Sequence, residues 1–169
     1  MSNKKEHVAP EPERWIDGPV QLDYSDHVAT LMLNRPAAAN GMTIELMRAL
    51  YDAVMRCHRD PRVRVVILKG AGAHFCAGGD VREFAAQGDH VGDFLKEVTA
   101  YLQISVGALI RLNAVVIAQV HGFAAGGGGL GLVCAADMVI ASESARFMAG
   151  ATRVGMAPAW PLWPATEPP

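Results

Sequence analysis

Two short runs that carry apolar residues, Val20 to Tyr24 and Val28 to Leu33, flank Ser25-Asp26 and predict a β-hairpin entering a sheet. Asn34-Arg35-Pro36 ends the second strand. The spacing then turns helical: Ile44, Met47, Tyr51 and Val54 recur along one face, with Thr43 as N-cap, Glu45 in the first turn and Asp60-Pro61 as the stop. Val63 to Leu68 is β-branched and nearly continuous, which predicts a parallel strand buried on both faces, with Lys69-Gly70-Ala71-Gly72 as its exit turn. Val81 to Gln87 predicts a short helix. Val91 to Leu112 predicts a long one, with Phe94, Leu95, Val98, Tyr101, Leu102, Ser105, Leu109 and Ile110 on one stripe. A strand at Val115 to Val120, a glycine-rich turn, an apolar helix from about Leu130 and a strand at Met138 to Ala141 follow. The alternation predicts an α/β fold with a mainly parallel sheet.

The ends of the chain differ from this middle. Residues Met1 to Arg14 are polar and contain Pro10 and Pro12, so they read as a flexible leader, with the domain starting near Trp15. After Pro158 the chain reads AWPLWPATEPP, eleven residues holding two of the three Trp and four of the ten Pro with no helical or strand period. This stretch is a Pro-rich tail or, the favoured reading, the mark of a chain interrupted or shifted in reading frame. The 169 residues fit one domain, 15 Lys+Arg against 17 Asp+Glu leave a net charge of -2, and no basic stripe follows a phosphate backbone, so nucleic acid is not an expected partner. Cys57, Cys76 and Cys134 are odd in number and lack a C-x-x-C spacing, which argues against a disulfide framework or a zinc site and for a reducing cytoplasm. The N-terminus has no apolar stretch of a secretory signal, and Ala114 to Val120 is too short to span a bilayer. Met42, Met47 and Met55 read as filler of a core.

Two glycine loops hold the candidate chemistry. His74-Phe75-Cys76-Ala77-Gly78-Gly79-Asp80 and His121-Gly122-Phe123-Ala124-Ala125-Gly126-Gly127-Gly128-Gly129 each leave a strand and enter a helix, where free backbone N–H groups favour negative charge. Neither is followed by Gly-Lys-Ser/Thr or by the acidic ribose ligand of a dinucleotide site. Two such N–H groups converging make an oxyanion hole for a carbonyl oxygen; the plainer alternative is that the glycines only permit tight turns and close helix packing. Asp80 reads as a helix cap, His121 as a structural strand-end histidine, Asp137 as a buried hydrogen-bonding group, Cys76 as a small buried residue, and Glu143 with Arg146 as a solvated pair.

FCAGGDVREF at Phe75 to Phe84 and VHGFAAGGGGLGLVCAADMVIASESARF at Val120 to Phe147, in this order, resemble the enoyl-CoA hydratase/isomerase (crotonase) superfamily. LNRPAAANGMTIELMRAL at Leu33 to Leu50 resembles that family's N-terminal strand-to-helix segment, and the likeness runs from about Val20 to Pro158. The resemblance implies a crotonase-like spiral of β-β-α units over residues 15–158, lacking the C-terminal helical region. It also implies coenzyme A thioester substrates, no other cofactor or metal, and trimers or hexamers in the full-length form. Carried over, the oxyanion donors fall on the backbone N–H groups of Gly79 and, aligned from Asp137, of Gly128, with Gly127 as its neighbour. Ala77, Gly78 and Asp80 fall where the family wraps backbone around the CoA and acyl portions, and Ala38 and Ala39 in the N-terminal CoA-contacting turn. The two hydratase glutamate positions read Gly131 and Ala151, so the general acid and base are missing, each of which contributes about 10²–10⁴-fold. The carboxylate position that some isomerase-like members use, after a turn resembling Gly155-Met156-Ala157-Pro158, reads Ala159. The expected activity is isomerisation or hydration of an enoyl-CoA; the alternative is a catalytically inactive acyl-CoA binder or assembly subunit.

Overall fold

The computed structural model describes residues 10–150. Residues 1–9 of the leader, Ala151, the Gly155 to Pro158 turn and the stretch from Ala159 lie outside the described residues. Strands β1 (Glu13–Ile16), β2 (Val20–Ser25) and β3 (Val28–Leu33) form an antiparallel meander, and β4 (Val65–Gly70), β5 (Val115–Val120) and β7 (Met138–Ala141) extend it in parallel. The sheet order is β1-β2-β3-β4-β5-β7. Glu13 and Arg14, read from sequence as the end of the leader, pair with Tyr24 and Asp23.

The register aligns the small and branched side chains in rows across the strands, among them Leu22, Leu31, Leu68 and Ala118, with Ala29, Val66 and Val116 in the next row. All seven are buried. Helices α1 (Ile44–Arg59) and α3 (Val91–Ile110) pack on each other, and α1 also packs on β2 and β3. Thr43 caps α1 as expected, accepting from the Leu46 N–H at 3.2 Å. The buried stripe of α1 is Leu46, Met47, Leu50, Ala53, Val54 and Cys57, rotated slightly from the predicted face because Ile44 and Tyr51 sit at its margin. On α3, Val98, Leu102, Ser105, Val106 and Leu109 are buried, whereas Ile110 is exposed where the helix ends.

Four expectations change. The strand read at Val63 to Leu68 runs from Val65 to Gly70, and its residues are alternately buried and half-buried rather than buried throughout. The apolar helix begins at Gly126, not near Leu130, so the glycines are the first turn of α4 (Gly126–Cys134). A short strand β6 (Phe123–Ala125) precedes it and pairs in parallel with β8 (Arg146–Met148), which makes a second, smaller sheet. Strand, short extended stretch and helix therefore recur as turns of a β-β-α spiral. Asp137 hydrogen-bonds the β5 entrance, accepting from the Val116 N–H at 2.8 Å, but it is exposed rather than buried. Arg146 does not pair with the Glu143 carboxylate; its guanidinium donates to the Glu143 and Ala145 carbonyls at 3.2 and 2.9 Å, since the turn brings backbone oxygens nearer.

The far end of α1 is tied to β1 by charge and aromatic stacking. Trp15 is the extra residue of a bulge between the Arg14–Asp23 and Ile16–Leu22 pairs, and its ring stacks on Tyr24 with centroids 4.6 Å apart. The Arg56 guanidinium lies 3.9 Å from the Trp15 ring centroid. Asp60, the C-cap of α1 and 8% exposed, accepts from Arg62 at 2.9 and 2.7 Å and from Arg56 at 3.4 Å. Hydrogen bonds from Arg62 hold the Asp60 carboxyl well below the usual carboxylate range. A carboxylate with a depressed folded pKa stabilises the fold at pH values above its unfolded pKa, and that contribution is lost as pH falls through the folded value. Asp60→Asn is therefore expected to lower the unfolding temperature at pH 7 and to reduce the pH dependence of stability below about pH 4. Thermal melts of both proteins across that range check it, and parallel curves would refute it.

Candidate active site

The candidate site is built at the carboxyl ends of β3, β4 and β5, where the chain leaves each parallel strand through a loop. The first loop turns sharply at Ala39 and Asn40, both with positive φ (49° and 55°). Asparagine tolerates that conformation, and its side chain compensates for burial with a full set of partners. Asn40 is 0% exposed; its Oδ1 accepts from the Arg35 N–H at 2.9 Å, and its Nδ2 donates to the carbonyls of Ala71, His74 and Phe75 at 2.9, 2.8 and 3.1 Å. The end of β4 makes room for this amide: a Cβ at Gly70 would lie 2.7 Å from the Asn40 Nδ2 and against the carbonyls of His74 and Phe75.

Backbone hydrogen bonds then zip the three loops into a layer. Ala77 N–H donates to Ala39 O at 3.0 Å, Met42 N–H to Gly78 O at 2.8 Å and Asp80 N–H to Met42 O at 3.0 Å. Cys76 N–H donates to Phe123 O at 3.0 Å, and Ala125 N–H to Cys76 O at 2.8 Å. Gly78 and Gly126 take positive φ (95° and 65°), and their backbones meet without side chains between them. A Cβ on Gly78 would lie 2.9 Å from Ala125 O, and one on Gly126 would lie 3.2 Å from Gly78 Cα and 4.0 Å from Gly79 N. The two glycine loops singled out from the sequence are thus in contact.

Among the described residues the Gly79 N–H donates to no protein group. Helix α4 starts beside it with no side-chain cap on Ala125, so the N–H groups of Gly126, Gly127 and Gly128 have no carbonyl one turn earlier to bind. Four successive glycines oppose helix formation by about 1 kcal/mol each relative to alanine, so packing decides this turn. A Cβ on Gly128 would strike Met42 Sδ, and one on Gly129 would lie 2.6 Å from Cys76 O. Gly128 is buried against Met42, and Gly127 is half-exposed.

A cleft of about 710 Å³ opens between the first loop and the Gly79 turn, within the range of small-molecule sites. Ala38, Ala39, Ala77, Gly79 and Asp80 line it, together with Arg35, Thr43, Arg82 and Glu83 among others. Gly78, Gly127 and Gly128 do not line it. Asp80 caps α2 (Val81–Ala85) as expected, accepting from the Arg82 N–H at 3.1 Å. Its Oδ2 also receives both Arg35 guanidinium nitrogens at 3.1 Å, and Arg35 donates to Gly41 O as well. The Phe84 ring lies over the Gly79 Cα, where a Cβ would collide with it.

The remaining candidates are structural. A His121 Nε2 contact of 2.9 Å with Gly72 O closes the β4 exit turn. Cys76 Sγ is buried between Asn40 O at 3.3 Å and the Gly78 N–H at 3.4 Å, and burial pushes its thiol up to about 11. It stays protonated at neutral pH and is no nucleophile. No metal-binding cluster occurs among the described residues. Sequence reasoning missed Asn40, Arg35 and Glu83. The Asn40-Gly41 dipeptide carried a turn signal, whereas the Arg35–Asp80 pair joins positions 45 apart that no local spacing connects.

A spiral of β-β-α units with opposed glycine loops and a cleft beside them defines the crotonase class of folds. The enoyl-CoA hydratase/isomerase family model matches residues 23–166, and the chain belongs to that family. Enoyl-CoA hydratase EchA19 of Mycobacterium tuberculosis is 39% identical over 124 residues, 72% of this chain and 45% of its own length. The 1,2-epoxyphenylacetyl-CoA isomerase of Escherichia coli is 35% identical over 134 residues, 78% of this chain and 50% of its own. The structure of an enoyl-CoA hydratase from Mycobacterium avium superposes with a TM-score of 0.74 at 31% identity, covering 85% of this chain and 55% of that one. The chain spans about half the length of the curated relatives it matches.

Two outcomes test the site's construction. Asn40→Ala leaves three loop carbonyls, one buried and two part-buried, short of a donor and is expected to cost at least about 2 kcal/mol in denaturant unfolding; a loss within error would show that the loops hold without it. Alkylation of the native chain at pH 8 is expected to label Cys134, which is exposed, and to spare buried Cys57 and Cys76, whose thiols are both pushed up to about 11. Peptide mass mapping reads the result.

Proposed function

We propose that the chain binds an acyl-CoA thioester in the cleft, with the thioester carbonyl reaching the meeting of the two glycine loops beside it, and stabilises its enolate with the backbone N–H groups of Gly79 and Gly128, in the isomerisation or hydration of an enoyl-CoA. The observation that carries this is the contact of the two glycine loops, which sets an unpartnered Gly79 N–H beside the uncapped start of α4. Backbone donors of this kind, together with a helix N-terminus, stabilise charge developing on a carbonyl oxygen. Ala38, Ala39, Ala77 and Asp80 of the cleft wall would surround the thioester, with Gly78 behind them in the glycine-loop contact, and the activities of the relatives, on enoyl-CoA and epoxyphenylacetyl-CoA, support a CoA thioester as substrate.

A catalytically silent binder or assembly subunit is the second reading. Gly131 favours it: this position on α4 has no carboxylate, and a Cβ there would meet nothing within 4 Å. Assembly as trimers or hexamers is proposed for the full-length form, supported by the exposed Met138, Ile140 and Phe147 on β7 and β8. No described helix is long and apolar enough to cross a membrane. A cytoplasmic location is proposed from the three free cysteines.

Titration with crotonyl-CoA, with product analysis on the same samples, tests the reading. Saturable binding with water addition or double-bond migration supports the enzyme, saturable binding alone supports the silent binder, and no binding sinks both. The open space at Gly131 allows a sharper experiment. Gly131→Glu is expected to raise crotonyl-CoA hydration by at least about 10-fold by restoring one proton-transfer group, without loss of thermal stability, since glutamate is the better helix former. Unchanged hydration with intact binding would show that this position does not face the acyl group.

A further inference from the structure

The proposed chemistry needs a group that moves protons, and the family positions for it, Gly131, Ala151 and Ala159, lack a carboxyl. Two carboxyls line the cleft, Asp80 and Glu83. Asp80 is fully engaged: Oδ2 receives two hydrogen bonds from Arg35, and Oδ1 caps α2. Glu83 is half-buried on the first turn of α2, four residues after Gly79, and its Oε2 is buried with no hydrogen-bond partner among the described residues. A carboxylate oxygen shut away without a donor is costly, and the cost is relieved when the group takes up a proton.

We propose that Glu83 is the proton-carrying residue of this cleft, serving where Gly131 and Ala151 leave the chain without the family's carboxylates. This rests on the acyl-CoA reading above. In the step, the Glu83 carboxylate takes a proton from the carbon next to the thioester carbonyl. The C–H bond breaks, an O–H bond forms on Glu83, and the C–H electron pair becomes a C=C bond as the carbonyl π pair moves to oxygen. The resulting enolate oxygen faces the Gly79 and Gly128 N–H groups. Return of the proton to the same carbon gives exchange; return to the carbon two positions further along an enoyl chain moves the double bond. Neither route needs an oxidant or a second reactant.

The surroundings of Glu83 suit this task. Burial raises its pKa first, followed by Asp80 and, less, Glu45 of α1; Arg35 and the Ile44 N–H at the start of α1 pull the other way, and the balance is upward. From α3 the contact on α2 is apolar, Phe94 meeting Phe84 edge-on at 6.0 Å. A base with a raised pKa is a stronger proton acceptor once ionised.

The experiment uses the 169-residue chain with butanoyl-CoA in D2O, following loss of the α-protons by NMR and binding by calorimetry. In wild type, exchange is expected to rise with pH along one ionisation above the ordinary glutamate value of about 4.3. Glu83→Gln is expected to bind butanoyl-CoA as wild type does, to lose that pH limb and to exchange at least about 100-fold more slowly. Should Glu83→Gln fail to fold, Glu83→Asp, which retracts the carboxylate, is expected to bind and to lose exchange. Undiminished exchange in a variant that binds overturns the role of Glu83 and leaves the acyl-CoA reading standing, as does wild-type binding without exchange. A lower melting temperature with unchanged exchange would assign Glu83 to the start of α1 alone and equally overturns the proposal. Absence of binding in wild type overturns the acyl-CoA reading and this role with it.

Discussion

The structure depends on one buried amide. Asn40 sits without solvent contact between the exits of β3 and β4, and its four hydrogen bonds reach only backbone groups, so it fixes chain paths rather than side chains. In a low-dielectric interior such a fully satisfied group is stiff, since any displacement strands several polar atoms at once. The glycine at position 70 gives it room, and the positive φ at Ala39 and Asn40 turns the chain back across the ends of the parallel strands.

Everything in the candidate site follows from that placement. With the first two loops locked together, the Ala77–Ala39 and Met42–Gly78 hydrogen bonds set the height of the Gly78-Gly79 turn, and the pairing of Cys76 with Phe123 and Ala125 brings the third loop alongside. The Gly79 N–H and the start of α4 become neighbours because neither Gly78 nor Gly126 carries a side chain. A dense packing of backbone on backbone also explains why Cys76, though next to the site, is sealed and inert. Arg35 completes the arrangement by neutralising Asp80, which leaves Glu83 as the less satisfied carboxyl of the cleft.

The division of labour between sheet and loops has an energetic basis. The rows of buried Leu, Val and Ala across β2 to β5 supply apolar burial that is indifferent to the chemistry above them. The loops spend part of that stability on positive φ angles and on a helix that begins with four glycines. The Trp15, Arg56 and Asp60 cluster at the opposite end of α1 contributes to holding the helix that carries the first loop's exit.

The sequence by itself determined the elements whose signal is local. Thr43 and Asp60-Pro61 bounded α1 because capping and φ restriction act within a turn, and the hairpin and the strands at β5 and β7 followed from short-range apolar pattern. The two glycine loops were legible as a repeated device, and their motifs carried the family. Tertiary structure alone decided that the glycines form the first turn of α4, since their own propensity opposes it and contacts with Met42 and Cys76 override it. It also decided the short strands β1, β6 and β8, which are too brief to leave a period and exist only through their partners. The Arg35–Asp80 pair and the three carbonyls held by Asn40 are long-range contacts, and chemistry that depends on distance across the fold leaves no spacing in the chain to read.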